Sequence, residues 1–263
     1  MTVGQKLLTI ISLFFACRVL AGPAANTPPT ILTEQWPPIT YEENGVVKGV
    51  AVEIVQAMQK TMGDRQPIIV VPWPRGYRMV QKDSNVILFT VIRSKEREQL
   101  FTLLGPVGIG ETALCGREDS HLNVRTLEDA RKLLAISANR DSYFASFLDN
   151  ADFTNLILTK DPWQEARLLA NKRVDLIIGD PDVIKAAMQK IGEGNIRIKK
   201  YLVIDKFQYH IAFSPGTPRR TMDAWKSALI KIKKDGTYKQ IYKKWFPDAS
   251  PPMNVELVGL DAK

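Results

Sequence analysis

The stretch NVILFTVIRSKEREQLFTLLGPV, residues 85–107, decides how the chain folds. Its apolar run from Val86 to Ile92 stops at Arg93, and a second arginine follows at Arg97. A continuous run of Val, Ile, Leu and Phe predicts a strand that is buried on both faces, as in a parallel sheet. Ligands of open α/β sheets bind beyond the carboxyl ends of such strands, where a guanidinium suits a carboxylate. The arginines therefore predict a site for a small anion. The alternative is an exposed loop in which Arg97 pairs with a surface acid.

Predicted strands and helices alternate along the rest of the chain. Apolar segments bounded by turn residues predict further strands at residues 30–33, 67–71, 134–137, 156–159 and 174–179, and residues 201–213 are expected to be extended. Helical spacing of apolar residues predicts helices at residues 50–62, 76–82, 127–133, 142–149, 162–171, 181–191, 222–234 and 237–246. The alternation indicates parallel α/β sheets, and roughly 240 residues are enough for two domains.

Three glycines lie where the two predicted domains meet. Gly105, Gly108 and Gly110 superficially suggest a phosphate-binding loop. Pro106 and the absence of a helix start do not fit such a loop. We therefore expect a flexible crossover between the domains.

The N-terminus predicts export. Lys6 precedes a short apolar core at residues 7–17, and Val19-Leu20-Ala21 offers small or medium residues for cleavage. This pattern is typical of a secretory signal peptide over residues 1–21, and the core is shorter than the ~20 residues that a bilayer span needs. A lipoprotein anchored through Cys17 is the second possibility, because the residues before it loosely resemble a lipobox. In either case we expect a periplasmic protein.

Composition and charge argue against several classes of function. The formal charge is +8, and removal of Lys6 and Arg18 with the leader lowers it to +6. The lysines are spread along the chain and are not clustered with stacking aromatics, so nucleic-acid binding is not expected. The two histidines, His121 and His210, have no ligand partners nearby in sequence, so no metal or cofactor is expected. Without the leader Cys115 is alone in an apolar setting, which predicts a packed, unreactive thiol.

Residues suited to binding a small molecule follow four of the predicted strands. Trp36 follows the first strand, Trp73 the second, the two arginines the third, and Asp180 a strand of the second domain. Two aromatic rings suit the walls of a ligand site, an arginine suits a carboxylate, and an aspartate suits an ammonium. The set fits an α-amino acid. The structural alternatives are tryptophans packed under loops and an Asp180 that caps the helix beginning at Pro181.

Four segments in this order resemble one known family. They are TEQWPPITYEENGVVKGVAVEIV at 33–55, IRSKEREQLFTLLGPV at 92–107, RVDLIIGDPDVI at 173–184 and DGTYKQIYKKWF at 235–246. The chain resembles the family 3 extracellular solute-binding proteins of ABC amino-acid importers, in a divergent branch with Trp-Pro-Pro and Trp-Pro-Arg loops. The resemblance covers essentially the whole mature chain.

The resemblance implies the α/β periplasmic-binding-protein fold of type II, in which two Rossmann-like lobes joined by two crossovers close on a ligand. Residues 22–111 and 206–263 would form lobe 1, and residues 112–205 would form lobe 2. It also implies a small-molecule ligand, an amino acid or a related carboxylate, and an inner-membrane ABC permease as partner. We expect a monomer, because the sequence shows no strong exposed apolar stripe.

Family roles can be carried over to four of the positions already named. Trp36 and Trp73 would stack on the ligand. Arg97 would bind its carboxylate, and Asp180 would accept from its α-ammonium group. These are the assignments that the resemblance implies for an amino-acid ligand.

One further position matches the family, and two depart from it. Thr90 matches a polar position whose backbone or hydroxyl contacts ligand. Arg93 is not a usual family position and would serve either as a second anion contact or in a lobe-closing ion pair. The family usually has Gly-Ser/Thr donors after the first strand of lobe 2, but this chain has Asn139-Arg140-Asp141-Ser142. Arg140 would then replace those donors or enlarge the anion site for a dicarboxylate.

Three functions follow from these observations. The first is a binding protein that closes on its ligand and delivers it to a permease, without being an enzyme. The second is an enzyme on the same fold, similar to cyclohexadienyl dehydratase, which needs a positioned acid to expel a leaving group. The presence of Asp180 favours binding, because substrates of that enzyme include acids without an α-ammonium. The third, a sensor lobe of a receptor or a wall hydrolase, is disfavoured because no further domain or span is evident.

Overall fold

The computed structural model describes residues 27–262. The predicted signal peptide and Cys17 lie outside these residues. Within residues 27–262, no helix combines the length and the apolar character that crossing a membrane requires.

The first part of the chain alternates strands and helices around a parallel sheet. In chain order its elements are β1 (Thr30–Thr33), β2 (Tyr41–Glu43), β3 (Val46–Lys48), α1 (Val50–Met62), β4 (Ile68–Val70), α2 (Trp73–Lys82), β5 (Val86–Ile92) and α3 (Lys95–Leu100). Strand β1 pairs in parallel with β4 on one side and with β5 on the other. All seven residues of β5 are buried, as its unbroken apolar run predicts for a strand covered on both faces.

Two long antiparallel strands connect this part to the next. They are β6 (Thr102–Arg117) and β10 (Ile198–Phe213), which pair along their whole lengths, from Thr102 opposite Phe213 to Arg117 opposite Ile198. The end of β10 also pairs with β5 in lobe 1, whereas the end of β6 pairs with a strand of lobe 2. Each long strand therefore belongs to both lobes, and together they are the two crossovers.

The segment between the long strands forms lobe 2. Its elements are a short 3-10 turn (Glu118–Ser120), α4 (Leu127–Arg131), β7 (Ile136–Asn139), α5 (Tyr143–Asn150), β8 (Leu156–Thr159), α6 (Pro162–Ala170), β9 (Leu176–Gly179) and α7 (Pro181–Lys190). Strand β7 pairs in parallel with β8 and β9, and β9 joins β6. Among the described residues, all strands except the β2–β3 hairpin therefore belong to one sheet of nine strands.

The C-terminal segment returns to lobe 1. It contains α8 (Arg219–Lys234), α9 (Thr237–Trp245) and β11 (Glu256–Gly259). Both helices pack on α1, and the Trp225 ring of α8 meets the Phe213 ring edge-on at 6.1 Å. Strand β11 pairs with the beginning of β6. The two-lobed α/β architecture expected from the sequence is thus present.

The crossover is not the flexible segment that its glycines predict. Gly108 and Gly110 are interior residues of strand β6. A Cβ on Gly108 would collide with the Tyr209 ring, and one on Gly110 would collide with the Phe207 ring. The glycines therefore make room for aromatic side chains of the neighbouring strand. Cys115 lies on the same strand and is fully buried, where desolvation raises the pKa of its thiol to about 12.

Candidate ligand-binding site

A cavity lies between the lobes at the carboxyl ends of the parallel strands. Residues of lobe 1 and lobe 2 both line it, and its volume in this closed arrangement is about 40 Å³. Its polar and aromatic lining includes Glu34, Trp36, Trp73, Thr90 and Arg97 from lobe 1, and Asn139, Tyr143, Phe144, Glu165 and Asp180 from lobe 2.

Arg97 reaches the cavity from helix α3. Ser94 caps this helix by accepting from the Arg97 backbone N–H, which fixes where the helix begins. The guanidinium Nη1 donates to the Ile92 carbonyl at 2.9 Å, and its Cζ lies 5.2 Å from the ring centroids of Trp73 and Tyr77. Burial lowers the pKa of Arg97, but an arginine stays charged at any physiological pH. A buried cation is thus held rigidly against the cavity.

Aromatic side chains form the walls of the cavity. Trp36 stacks on Phe207 with ring centroids 6.0 Å apart, and its face is almost perpendicular to the Tyr209 ring. Trp73 stacks on Tyr77 at 5.2 Å. Both tryptophans are buried, so the loop-packing alternative and the ligand-wall role coincide at these positions.

Two contacts join the lobes next to the cavity. The Trp73 indole Nε1 donates to the Asp141 carbonyl at 2.7 Å, from lobe 1 to lobe 2. On the outer surface, Lys190 Nζ lies 3.0 Å from Glu43 Oε1, again across the lobes. Because each contact needs the lobes to be close together, the structure is a closed arrangement.

Asp180 reaches the cavity from the end of β9. One carboxylate oxygen accepts from the Asp182 backbone N–H at 2.9 Å, so Asp180 is the N-cap of α7. The other accepts from the Glu111 N–H on β6 at 3.0 Å. Burial raises the pKa of Asp180 to about 6, although both N–H groups act to lower it. The Asp180 side chain therefore both caps α7 and lines the cavity.

Thr90 lies at the cavity in an unusual backbone conformation. Its φ angle is 74°, which is rare for a β-branched residue because the side chain clashes with the backbone there. The Thr90 hydroxyl donates to the Phe89 carbonyl at 2.5 Å. Such local strain is a feature that functional sites often retain.

Two buried acids of the cavity were not anticipated from the sequence. Glu34 follows strand β1 directly, and Glu165 lies on α6, one turn after its N-cap Asp161. Burial raises the pKa of both carboxyls to about 8. For Glu34 the nearby Arg97 partly opposes the rise, whereas for Glu165 the neighbouring Asp161 adds to it.

A sequence signal for these acids exists in hindsight. Glu34 obeys the same strand-end rule that selects Trp36, but it stands beside a more conspicuous aromatic. Glu165 shares the inward face of α6 with Ala166 and Leu169, at helical spacing. A carboxylate on an apolar face is the informative exception among buried residues.

Two predicted site residues lie outside the cavity. Arg93 pairs with Glu98 and with Glu256 of β11, so its guanidinium ties the C-terminal strand to lobe 1. It neither contacts the cavity nor links the two lobes. Arg140 is exposed and lines an adjoining groove that shares Trp73 and Asn139 with the cavity, while its backbone N–H donates to the Thr159 carbonyl. The structure therefore brings together Trp36, Trp73, Thr90, Arg97 and Asp180, and leaves the other two apart.

Groups suited to holding a metal ion do not occur in the part of the chain that the structure describes. Over residues 27–262 no three His, Cys, Asp or Glu side chains are arranged to ligate one. Of the two histidines, His210 is fully buried between the strands and lies 3.5 Å from Glu256.

The chain belongs to the bacterial extracellular solute-binding proteins, family 3, whose family description matches residues 30–248. No curated protein sequence matches the chain significantly.

Solved structures of similar fold come from several kinds of protein. A histidine kinase sensor domain with similarity to periplasmic binding proteins is 22% identical, with a TM-score of 0.76 over 86% of this chain and 99% of that one. The arginine-, lysine-, histidine-binding protein ArtJ from Geobacillus stearothermophilus is 17% identical, with a TM-score of 0.72 over 85% and 96%. An ancestral amino-acid-binding protein, a precursor of cyclohexadienyl dehydratase, is 17% identical, with a TM-score of 0.69 over 82% and 95%. These similarities establish the type II periplasmic-binding-protein fold.

Proposed function

We propose that the protein is a periplasmic receptor that captures an amino acid or a related small carboxylate by lobe closure and passes it to an ABC-type permease. One observation carries the proposal: Arg97 of lobe 1 and Asp180 of lobe 2 line the same cavity between aromatic walls. A carboxylate on Arg97 and an ammonium on Asp180 are the two charges of every α-amino acid. A ligand that holds both residues stabilises the closed state over the open one.

Family membership and two of the structural neighbours support the same proposal. The family consists of extracellular solute-binding proteins, and ArtJ and the ancestral protein are described as binding amino acids. Thr90 would contribute through its strained backbone next to Arg97. We propose no cofactor and no metal for this function, a monomeric state, and no enzymatic activity.

A thermal-shift screen tests the proposal. The purified protein is unfolded and refolded to remove bound ligand and then heated with amino acids of every side-chain class, dicarboxylates, prephenate and arogenate. A ligand at 100 times its Kd adds about 2.7 kcal/mol to the folded state, which corresponds to a rise in Tm of roughly 5–10 °C for a chain of this size. We expect such a rise with at least one α-amino acid. No rise with any amino acid would contradict the proposal.

An enzyme similar to cyclohexadienyl dehydratase is the second candidate. The observation in its favour is Glu165, a buried acid at the cavity whose pKa of about 8 keeps it protonated at neutral pH, as a general acid requires. The precursor relationship stated for one structural neighbour points the same way. Conversion of prephenate or arogenate by the wild-type protein, with loss of that activity in Glu165→Gln, would establish the enzyme. Absence of turnover with both substrates would leave the binding protein.

A further inference from the structure

Two acids of the cavity are not needed to hold an amino-acid head group. Arg97 and Asp180 already match one carboxylate and one ammonium. Glu34 enters from lobe 1 and Glu165 from lobe 2, and both line the same space as the tryptophans. An α-amino acid with an apolar side chain would leave Glu34 with only Arg97 as a nearby charge among the described residues. Within the same residues it would leave Glu165 with only the Thr159 hydroxyl.

Burial makes these acids costly unless something pairs with them. Glu34 and Glu165 are each only 7% exposed. Glu165 Oε1 is fully buried and has no hydrogen-bond partner among residues 27–262, and the same holds for Oδ1 of Asn139, which also lines the cavity. Buried polar atoms of native proteins are nearly always paired, and an unpaired one costs about 1–3 kcal/mol. Unused acceptors that line a ligand cavity indicate a ligand with additional donors.

The charged residues that line the cavity indicate that the additional group of the ligand is positively charged. The lining contains one cation, Arg97, and three acids, Glu34, Glu165 and Asp180. A zwitterionic head group uses Arg97 and Asp180 and cancels its own charge. Two carboxyls remain, and only a cationic group lets both ionise in a buried site.

We propose that Glu34 and Glu165 form a second subsite, one acid from each lobe, that holds an ammonium or guanidinium group on the ligand's side chain. This inference rests on the proposed function and narrows it to amino acids with a cationic side chain. The walls fit such a ligand, since Trp36 and Phe144 line the cavity and aromatic faces attract cations.

The subsite also supplies a reason for closure. In the open protein each acid belongs to a separate lobe, and a cation gains both partners only when the lobes come together. A guanidinium has five donors in a planar fork, and an ammonium has three. Either one has enough donors for Glu165 Oε1, the Asn139 acceptor and Glu34. The distal end of the ligand therefore favours the closed state independently of the head group.

Matched pairs of ligands test the subsite. L-arginine is compared with L-citrulline, and L-lysine with L-norleucine, because each pair keeps the head group and nearly the same shape while the second member lacks the charge. Affinities are measured by titration calorimetry with the wild-type protein, with Glu165→Gln and Glu34→Gln, and with the control Glu42→Gln. Glu42 is an exposed acid of the neighbouring groove, outside the cavity.

We expect at least one cationic amino acid to bind roughly 10- to 100-fold more tightly than its neutral partner, as charged hydrogen bonds allow. Glu165→Gln and Glu34→Gln should each remove most of that preference, whereas Glu42→Gln should keep it. Equal affinity within both pairs, or an unchanged preference in the two cavity variants, would overturn the subsite. Binding of a neutral amino acid that depends on Arg97 would then leave the proposed function intact. Binding of no amino acid would overturn both.

Discussion

Glu165 couples the stability of the ligand-free protein to pH. Its pKa is about 8 in the folded protein and near 4.5 when unfolded, because burial disfavours the charged carboxylate. A raised folded-state pKa gives stability that is complete below pH 4.5 and is lost as the pH rises towards 8. Stability is lost because, between these two pH values, the unfolded protein releases the Glu165 proton whereas the folded protein keeps it.

We therefore expect Glu165→Gln to gain stability relative to wild type as the pH rises from 5 to 8. The expected change is about 1 kcal/mol for each pH unit, measured as the difference between the urea unfolding free energies of the two proteins. Using the difference cancels groups that titrate independently of Glu165, such as His210 and Lys233. A difference that does not vary with pH would mean that Glu165 is not held protonated.

Asp180 has two functions that one substitution separates. Asp180→Asn keeps a good N-cap for α7 but removes the charge that faces the cavity. We expect its affinity for an α-amino acid to fall roughly 10- to 100-fold, with a loss of unfolding free energy below about 1 kcal/mol. Asp180→Ala serves as the comparison, since it loses cap and charge together. Full affinity in Asp180→Asn would restrict this residue to helix capping.

Single side chains could be predicted where a simple rule applies to them. The strand-end rule led from the sequence to Trp36, Trp73, Arg97 and Asp180, all of which line the cavity. It misplaced Arg93, because a residue directly after a strand can also turn outward to meet partners from a distant segment. Glu256 is such a partner, 163 positions further along the chain. The residues near Arg93 in the sequence give no indication of this pairing.

The packing of the long crossover strand β6 depends on glycines near its centre, which leave room for aromatic rings of β10. The Tyr209 ring occupies the space where a Cβ of Gly108 would be. We expect Gly108→Ala to lower the unfolding free energy by about 1–3 kcal/mol, the usual cost of overpacking, as measured by urea denaturation. Gly179→Ala is the control, because its Cβ would meet only Ile184, at 3.7 Å. Equal stability of the two variants would show that the aromatic packing at the crossover is loose.

Strand β11 is attached to lobe 1 by ion pairs that do not involve the cavity. Arg93 contacts both Glu98 and Glu256, and all three side chains are about one-third exposed. We expect Arg93→Ala to cost about 1 kcal/mol of stability, given the solvent screening of such pairs. Ligand affinity measured by calorimetry should stay within about twofold of wild type, since the charge is outside the cavity. A large loss of affinity would return Arg93 to the binding site.

Elements with a strong local pattern were predicted closely, and those that depend on distant partners were not. Residues 30–33, 50–62, 86–92 and 156–159 have the predicted type and bounds. Helix α3 and strand β6 were missed, and the reason is physical. Residues 102–117 are rich in glycine and lack alternation, and they form a strand because β10, β9 and β11 pair with them.

Lobe closure can be measured on the protein in solution. The closed structure has the Trp73–Asp141 hydrogen bond and the Lys190–Glu43 pair across the lobes. We expect the ligand-free protein to be more open, so the radius of gyration from small-angle X-ray scattering should fall when a ligand is added. An identical radius with and without a saturating ligand would indicate that capture does not require closure.

The two-lobed architecture was predictable as a whole, although the details that close the cavity were not. Alternating strands and helices define two α/β lobes from sequence. The closed cavity depends on contacts between the lobes. The Asp141 carbonyl accepts from the Trp73 indole, and the Phe207 ring contacts both Trp36 and Phe144. The expected second-lobe donors are an example: Arg140 is exposed beside the cavity, and Asn139 lines it instead.

Calorimetric titration of Arg97→Ala tests most directly whether the cavity captures a carboxylate. The amino acid that gives the largest thermal shift is titrated into wild type, Arg97→Ala and Arg140→Ala, the last being an exposed arginine next to the cavity. Thermal unfolding first establishes that each variant is folded, and Arg97→Lys provides a variant that keeps the charge. We expect Arg97→Ala to lose roughly 100-fold or more in affinity and Arg140→Ala to bind as wild type does. Wild-type affinity in a folded Arg97→Ala protein would contradict the site described for this chain.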